Sequence, residues 1–204
     1  SASTSSRPDV RPSDWLRRLA SLIAPIALAA CAIAPQAPSV QSVDHISAFQ
    51  LAGRVAVKLE DKGYSARLRW EHAPTLDALW LYSPIGSVLA ELTVDGNGAT
   101  LVTADREAYN SRDVQALTRE VLGWNLPLEG LQHWVLGRAD PAAPVNGEQR
   151  DAMGRLQRLS QRDWRIDYLA YVDGSPLPAA MALHYGELRL RLVIDRWQLA
   201  EAAR

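Results

Sequence analysis

From Phe49 onward, apolar and polar residues alternate along the chain, and this period of two is typical of half-buried β-strands. Val55, Val57 and Leu59 set the first phase, and a turn at residues 61–63 separates them from the next alternating segment. Because such short loops cannot hold a parallel crossover, the strands should pair in antiparallel fashion. The pattern predicts a meander of about nine strands. The predicted segments are Phe49–Glu60, Ser65–Trp70, Leu76–Tyr82, Val88–Val94, Ala99–Thr103, Arg155–Gln161, Trp164–Val172, Ala180–Tyr185 and Leu188–Trp197.

In the middle of the chain the period becomes helical. Val114, Leu117 and Val121 follow Ser111, a possible N-cap, at helical spacing, and a second apolar stripe follows Pro127. Two short amphipathic helices therefore interrupt the strands. The fold class predicted is mainly β with a helical insertion: a strongly curved sheet or barrel covered on one side. Such a shape can fill its interior with side chains or keep a cavity, and periodicity does not choose between them.

The N-terminal segment has the pattern of an export signal. Arg17 and Arg18 precede an apolar run at residues 19–30, and Leu-Ala-Ala leads into Cys31, the single cysteine of the chain. The run is too short to cross a bilayer, which takes about 20 residues. Leu-Ala-Ala-Cys resembles the lipobox of bacterial lipoproteins, in which the cysteine becomes the lipidated first residue. The alternative is a buried helix with an incidental cysteine.

These features predict three regions: a lipoprotein signal peptide at residues 1–30, a lipidated cysteine and flexible tether at 31–47, and a folded body at 48–204. Proline, serine and glutamine without a sustained period are typical of a tether. The residue after Cys31 is Ala32 rather than aspartate, and by resemblance to enterobacterial lipoproteins this points to the outer membrane. We therefore expect a lipid-anchored protein on the periplasmic face of that membrane.

Charge and motifs exclude several classes of function. The formal net charge of −1 gives no electrostatic case for binding nucleic acid. His45, His72, His133 and His184 lack metal-binding spacing, and one cysteine allows neither an internal disulfide nor a cysteine-based zinc site. Nucleophile-elbow and P-loop motifs do not occur. We therefore expect no enzyme, no metal and no cofactor.

Aromatic content is dominated by tryptophan, since Phe49 is the single phenylalanine. These tryptophans either pack a core or line an apolar pocket, where aromatic walls are common. Those of the predicted body are Trp70, Trp80, Trp124, Trp134, Trp164 and Trp197.

Several short motifs occur in a defined order through the body. Phe49-x-x-x-Gly53-Arg54 opens the first strand, Trp70 closes the second, and Ser83-Pro84-Ile85-Gly86 lies between the third and fourth. The series continues with Gly123, Leu126-Pro127, Leu131-x-x-Trp134-x-x-Gly137, Gln161-x-x-Trp164-x-x-x-Tyr168, Pro178 and Trp197. Together with the lipobox, this order and spacing resembles the LolB family of outer-membrane lipoprotein-insertion receptors. The resemblance spans the body from Phe49 to Trp197.

The resemblance implies an unclosed antiparallel barrel with a helical lid over a hydrophobic cavity. It also implies a function: members accept acylated lipoproteins from the soluble periplasmic carrier LolA and insert them into the outer membrane, without nucleotide or metal. The expected partners are thus a LolA-type carrier, the acyl chains of the cargo and the outer membrane, with no nucleic acid. We expect a monomer.

The loop Ser83-Pro84-Ile85-Gly86 carries the sharpest local prediction. Proline and glycine at these positions suit a type I turn with Ile85 at the tip. In the family a protruding hydrophobic residue here, usually leucine, is associated with pushing cargo into the membrane. The resemblance therefore places a membrane-insertion role on Pro84, Ile85 and Gly86. The alternative is that Ile85 folds back onto the strand ends.

The resemblance also predicts which side chains form the cavity. Alternation divides the side chains of each strand between two faces, and a shift of one residue exchanges the inward face with the outward one. The predicted lining residues are Leu68, Trp70, Trp80, Leu92, Trp164, Ile166, Tyr168, Leu190 and Leu192, and the predicted lid residues are Leu117, Val121, Leu131 and Trp134.

Two other functions stay open at the level of sequence. The body could bind another lipid or hydrophobic ligand without transferring it, or it could be a purely structural envelope lipoprotein. The structural alternative predicts a filled interior and no lipid binding.

Overall fold

The computed structural model describes residues 42–201, so Cys31 and the predicted signal peptide lie outside the described residues. The described residues belong to one compact unit. Its helices and strands, in chain order, are β1 (Ile46–Leu59), β2 (Lys62–Ala73), β3 (Leu76–Tyr82), β4 (Val88–Asp95), β5 (Gly98–Thr103), β6 (Ala108–Ser111), α1 (Val114–Leu122), α2 (Leu128–Trp134), β7 (Val145–Arg150), β8 (Leu156–Gln161), β9 (Trp164–Tyr171), β10 (Pro178–Tyr185) and β11 (Leu188–Glu201).

All eleven strands belong to one antiparallel sheet with the order β6-β5-β4-β3-β2-β1-β11-β10-β9-β8-β7. From β1 to β6 and from β7 to β11, each strand pairs with the next along the chain, and the pairing of β1 with β11 joins these two halves of the meander. Within the described residues, the edge strands β6 and β7 do not pair with each other, so the sheet stays open. The predicted fold class, an unclosed antiparallel sheet with a helical insertion, is confirmed.

Two strands were not predicted. β6 is only four residues long, too short for its alternation to stand out. β7 lies between the predicted helices and the predicted strand that begins at Arg155, and all six of its residues are exposed. Since the alternation signal depends on one face being buried, an edge strand exposed on both faces does not produce it.

The helical insertion connects β6 to β7. The α1 helix begins after Asp113, whose carboxylate accepts hydrogen bonds from the backbone N–H groups of Gln115 and Ala116 at 2.9 and 3.1 Å. The prediction of Ser111 as the N-cap is wrong, because Ser111 ends β6 and Asp113 takes the capping position. The α1 helix ends at Gly123, which has a left-handed backbone with φ of 82°. As predicted, α2 begins directly after Pro127.

A β-bulge in β11 lies opposite the middle of β1. Ala52 is opposite Arg196 on β11 and Gly53 is opposite Ile194, so Asp195 is the extra residue. The neighbouring backbone is so close that a Cβ on Gly53 would lie 2.2 Å from the carbonyl oxygen of Val193. Only glycine fits this position without displacing the strand.

Part of the sheet interior is densely packed. The Trp134 indole of α2 lies 6.2 Å from the ring of Trp164 and donates a 2.9 Å hydrogen bond to Gln161. Tyr168 donates its hydroxyl proton to the carbonyl oxygen of Trp134 at 3.0 Å. A second aromatic group forms where Phe49 packs against Trp70 and Trp197 at 5.1 and 5.6 Å between ring centroids, and it includes His72. These aromatic groups fill part of the interior.

Candidate functional site

A cavity of about 640 Å³ lies between the sheet and the helical insertion. Such a volume falls within the range of about 300–1,000 Å³ typical of small-molecule sites. None of the described residues that line it has a charged side chain. The lining residues are Val55, Val57, Gly63, Tyr64, Ser65, Ala66, Leu68, Leu79, Leu81, Leu89, Ala90, Leu92, Leu101, Val121, Leu122, Trp124, Leu126, Leu131, Leu183, Leu190 and Leu192.

The depth of the cavity is shown by how exposure changes along its wall. Leu101 and Leu183 are 0% and 1% exposed, whereas Tyr64 and Leu89 are 62% and 40% exposed. The mouth therefore lies between the start of β2, the start of β4 and the connection after α1, which contributes the half-buried Trp124.

The helical insertion covers part of the cavity as predicted for a lid. Val121 and Leu131 line the cavity, whereas Leu117 and Trp134 are buried without lining it. Thr118 ties α1 to the segment that follows, because its hydroxyl donates to the carbonyl oxygen of Val114 at 2.9 Å and accepts from the N–H of Leu126 at 3.0 Å. A buried polar contact thus holds the connection between the two helices against α1.

Of the predicted lining residues, Leu68, Leu92, Leu190 and Leu192 line the cavity. Four others are buried in the packed core and do not line the cavity: Trp70, Trp164, Ile166 and Tyr168. The three aromatic residues among them make ring contacts or hydrogen bonds there. For example, Trp70 is fully buried and donates a 2.7 Å hydrogen bond to Asp77. Burial raises the pKa of the Tyr168 hydroxyl, so this group stays protonated and donates to the backbone.

The assignment of Trp80 to the cavity is wrong. Leu79 and Leu81 line the cavity, so the side chain between them projects from the opposite face of β3. There the guanidinium carbon of Arg69 lies 5.4 Å from the centroid of the Trp80 ring. Both faces of this strand carry large apolar residues, so alternation does not show which face is directed inward.

Several lining residues were missed by sequence reasoning. Val55 and Val57 belong to the alternation that predicted β1, and extending the inward face from Leu68 across the strand pair would have found them. Leu122, Trp124 and Leu126 lie at and beyond the C-terminal end of α1, where no periodic signal marks a face.

The loop from Ser83 to Ser87 joins β3 to β4. The Gly86 N–H donates to the carbonyl oxygen of Ser83 at 2.9 Å, and the Ser87 N–H donates to the Ser83 side chain at 3.1 Å. Gly86 has a φ of 95°, which favours glycine. Ile85 at the tip is 92% exposed, so the alternative in which it folds back onto the strand ends is wrong.

Strand direction relates this loop to the cavity mouth. β3 ends at Tyr82, opposite Arg67 of β2, and β4 starts at Val88, so the loop is directed toward the end of the sheet at which β2 and β4 begin. The exposed apolar tip therefore lies at the same end of the sheet as Tyr64 and Leu89 of the mouth.

Within residues 42–201, no cluster of three histidine, cysteine or acidic side chains is arranged to hold a metal ion. In the same residues, no helix combines the length and the apolar character needed to span a membrane.

Comparison with known proteins gives a consistent match. Residues 47–197 match the family described as "Outer membrane lipoprotein LolB". A protein of Azoarcus sp. (strain BH72), named outer-membrane lipoprotein LolB, is 33% identical over 94% of this chain and 100% of its own length. A protein of the same name from Thiobacillus denitrificans is 36% identical over 91% of this chain and 100% of its own length. A third, from Nitrosococcus oceani, is 37% identical over 78% of this chain and 80% of its own length.

Proposed function

The chain belongs to the LolB family of outer membrane lipoproteins, and we propose that it accepts acylated lipoproteins and inserts them into the outer membrane. The observation that supports this most directly is the open apolar cavity of about 640 Å³. Moving an acyl chain of about fifteen methylenes into water costs roughly 12 kcal/mol of free energy, at about 0.8 kcal/mol per CH₂. Cargo must therefore move from one apolar site to the next without entering bulk water.

An open sheet under a lid suits that requirement. The cavity mouth is bounded on one side by the segment that contains Val121 and Trp124, and this segment is joined to the sheet by connections rather than by strand pairing. Its movement can widen the mouth without breaking the sheet. The lid role of Leu117, Val121, Leu131 and Trp134 is part of this proposal, as is the lining role of the apolar side chains on the sheet.

In this proposal Cys31 carries the lipid anchor, the residues between Cys31 and β1 form the tether, and the body lies on the periplasmic face of the outer membrane. The names of the related proteins support the assignment to the outer membrane, and the lipobox-like Leu-Ala-Ala-Cys supports a lipid anchor at Cys31. Lipidation of Cys31 can be tested by mass spectrometry of the mature protein.

The proposed donor of cargo is a LolA-type periplasmic carrier, which the monomeric receptor meets transiently. Neither hand-over needs an energy source, because an affinity difference of about 1.4 kcal/mol gives a tenfold bias at each step. The uncharged lining supports the binding of acyl chains rather than of headgroups.

Ile85 is the proposed membrane-insertion residue, supported by its exposure and by its place at the mouth end of the sheet. Burying a large aliphatic side chain in a bilayer is favourable by about 1.5–3 kcal/mol. This is enough to bring the mouth against the bilayer transiently without fixing it there.

A delivery assay tests the proposal. The body, residues 37–204, takes cargo from a loaded carrier, and liposomes are then added. We expect Ile85→Glu to take up cargo normally but to deliver it at least tenfold more slowly, while Ile85→Leu behaves like wild type. Met153→Glu is the matched control, since Met153 is also an exposed apolar residue at a turn, 78% exposed, and lies outside the cavity wall.

Equal delivery by Ile85→Glu and wild type would contradict the role of the loop. Uptake of free lipid by the wild-type body, without delivery of any cargo, would favour the alternative of a lipid-binding lipoprotein that has no transfer activity.

A further inference from the structure

The sheet face opposite the cavity carries an aromatic and cationic surface beside the Ser83–Ser87 loop. Because Leu79 and Leu81 point into the cavity, Trp80 and Tyr82 point to this outer face. Both are half-buried. We use the name outer patch for five residues: Arg67, Arg69, Trp80, Tyr82 and Val88.

Strand register holds the outer patch together. Arg67 is directly opposite Tyr82, and Tyr82 pairs with Val88 next to a register shift that leaves Leu89 as an extra residue in β4. These three residues form one row across β2, β3 and β4. In the next row Arg69 is opposite Trp80, Trp80 is opposite Glu91 on β4, and Arg69 forms an ion pair with Glu71. Directly opposed residues on one face have Cβ atoms about 4.5–5.5 Å apart, so the rows are continuous surfaces.

The charge of Arg67 is not neutralised within the fold. Arg67 makes no ion pair with any residue of the described part of the chain, and its partner across β1 is Arg54, another arginine. Like charges directly opposite each other are unfavourable in a sheet. The carboxylate of Asp195 pairs with Arg54, at 2.8 Å, which leaves Arg67 available to an external anion.

The outer patch is continuous with the loop that carries Ile85. Tyr82 and Val88 are the two strand residues that flank this loop, and Val88 is 46% exposed. At about 3.3 Å per residue, the row of Trp80 lies about 7 Å further from the loop than the row of Tyr82. The surface therefore runs from an aliphatic tip through a row with Tyr82 and Arg67 to a row in which Trp80 lies between Arg69 and Glu91.

This composition matches the interface of a lipid bilayer. Aromatic rings with a polar edge favour the boundary between acyl chains and headgroups, and arginine reaches the phosphates while its stem stays on the apolar side. The length of chain outside the structure also favours a bilayer: the segment from Cys31 to Ser42 reaches at most about 40 Å, so a lipid anchor at Cys31 keeps the body close to the membrane.

We propose that the outer patch is a second membrane-contact surface, which binds the interface of a bilayer containing anionic phospholipid and places Arg67 at a headgroup phosphate. The inference rests on the proposed function, because it takes Ile85 to be the residue that first enters the bilayer. It adds a surface that holds the body in one orientation, with the cavity mouth at the lipid.

The test measures flotation of the body, residues 37–204, with vesicles of phosphatidylethanolamine and phosphatidylglycerol. The variant is Arg67→Ser with Tyr82→Ser. The matched control is Arg158→Ser with Leu169→Ser, which removes one arginine and one exposed apolar side chain from the same outer face on β8 and β9. We expect vesicle binding to fall at least about fivefold in the variant and to stay within about twofold of wild type in the control.

Vesicle binding by the variant equal to wild type, or an equal loss in the control, would overturn the proposal. So would a wild-type body that does not bind these vesicles, as expected if the patch instead binds an acidic protein. Failure here leaves the proposed function intact if Ile85→Glu still blocks delivery of cargo. Failure of both measurements removes the proposed function as well.

A second measurement locates the patch and does not depend on a disruptive variant. Trp80→Phe keeps an apolar ring at the position. With vesicles that contain phospholipid brominated near the headgroup end of the acyl chain, we expect wild-type tryptophan emission to be quenched more strongly than that of Trp80→Phe. Equal fractional quenching of the two would mean that Trp80 does not reach the bilayer.

Discussion

The indole N–H of Trp134 donates a 2.9 Å hydrogen bond to Oε1 of Gln161, and both side chains are 0% exposed. The same oxygen accepts from the Asp140 N–H at 2.8 Å, and Nε2 of Gln161 donates to the carbonyl oxygens of Asp140 and Ala143, each at 2.7 Å. One buried amide thus joins the lid helix α2, β8 and the connection to β7.

The first prediction concerns this amide. Gln161→Ala leaves buried donors and acceptors without partners, and each costs about 1–3 kcal/mol. We therefore expect the free energy of unfolding, measured by urea denaturation, to fall by about 3 kcal/mol or more. Gln157→Ala on the same strand is the control, because Gln157 is exposed and should change stability little. A small loss in Gln161→Ala would show that water replaces the amide.

The bulge in β11, opposite Gly53 of β1, gives a second prediction. A Cβ on Gly53 would lie 2.2 Å from the carbonyl oxygen of Val193, whereas a Cβ on Gly63 would have no heavy atom within 4 Å. We expect Gly53→Ala to destabilise the fold by about 1–3 kcal/mol through overpacking. Gly63→Ala should leave the denaturation midpoint nearly unchanged. Equal midpoints for the two variants would mean that the pairing of β1 with β11 relaxes freely.

A third prediction compares the two faces of the sheet. Ala66 lines the cavity, whereas Ala56, on the neighbouring strand, is exposed on the outer face. Ala66→Phe fills cavity volume, so the dissociation constant of a fluorescent fatty acid should rise at least about tenfold, which is 1.4 kcal/mol. Ala56→Phe adds the same ring outside and should bind like wild type. Unchanged binding in Ala66→Phe would place the fatty acid elsewhere.

The pH dependence of stability gives a fourth prediction. Burial lowers the pKa of His133, and the charge of Arg138 lowers it further. The unfolded chain then takes up the proton at a higher pH than the folded chain does, so stability falls as the pH decreases through about 6.5. We expect His133→Gln to lose less thermal stability than wild type between pH 7.5 and pH 5.5. His45→Gln is the control at an exposed position, and a wild-type slope in His133→Gln would contradict the assignment.

Much of the sheet could be predicted from sequence because one face of each central strand is buried. Leu68, Leu190 and Leu192 follow the alternation and line the cavity. β7 could not be predicted, since none of its residues is buried and its pairing is set by β8 alone.

The site was harder to predict than the sheet, because alternation gives the face of a residue but not the space in front of it. Trp70 and Trp164 face the interior, as predicted, but other side chains pack against them and leave no cavity there. The cavity lies instead where leucine, valine and alanine face the connection after α1. Trp80 shows the further limit that a large apolar residue can belong to the outer face.

The most direct test of the central claim is whether the body acquires acylated cargo from a carrier. The body, residues 37–204, is mixed with a LolA-type carrier loaded with a triacylated lipoprotein, and the two are separated by an affinity tag on the body. We predict that the cargo moves to the wild-type body, that Ala66→Phe acquires much less, and that the same lipoprotein without acyl chains is not retained. If a correctly folded wild-type body leaves the cargo on the carrier, the receptor account is contradicted.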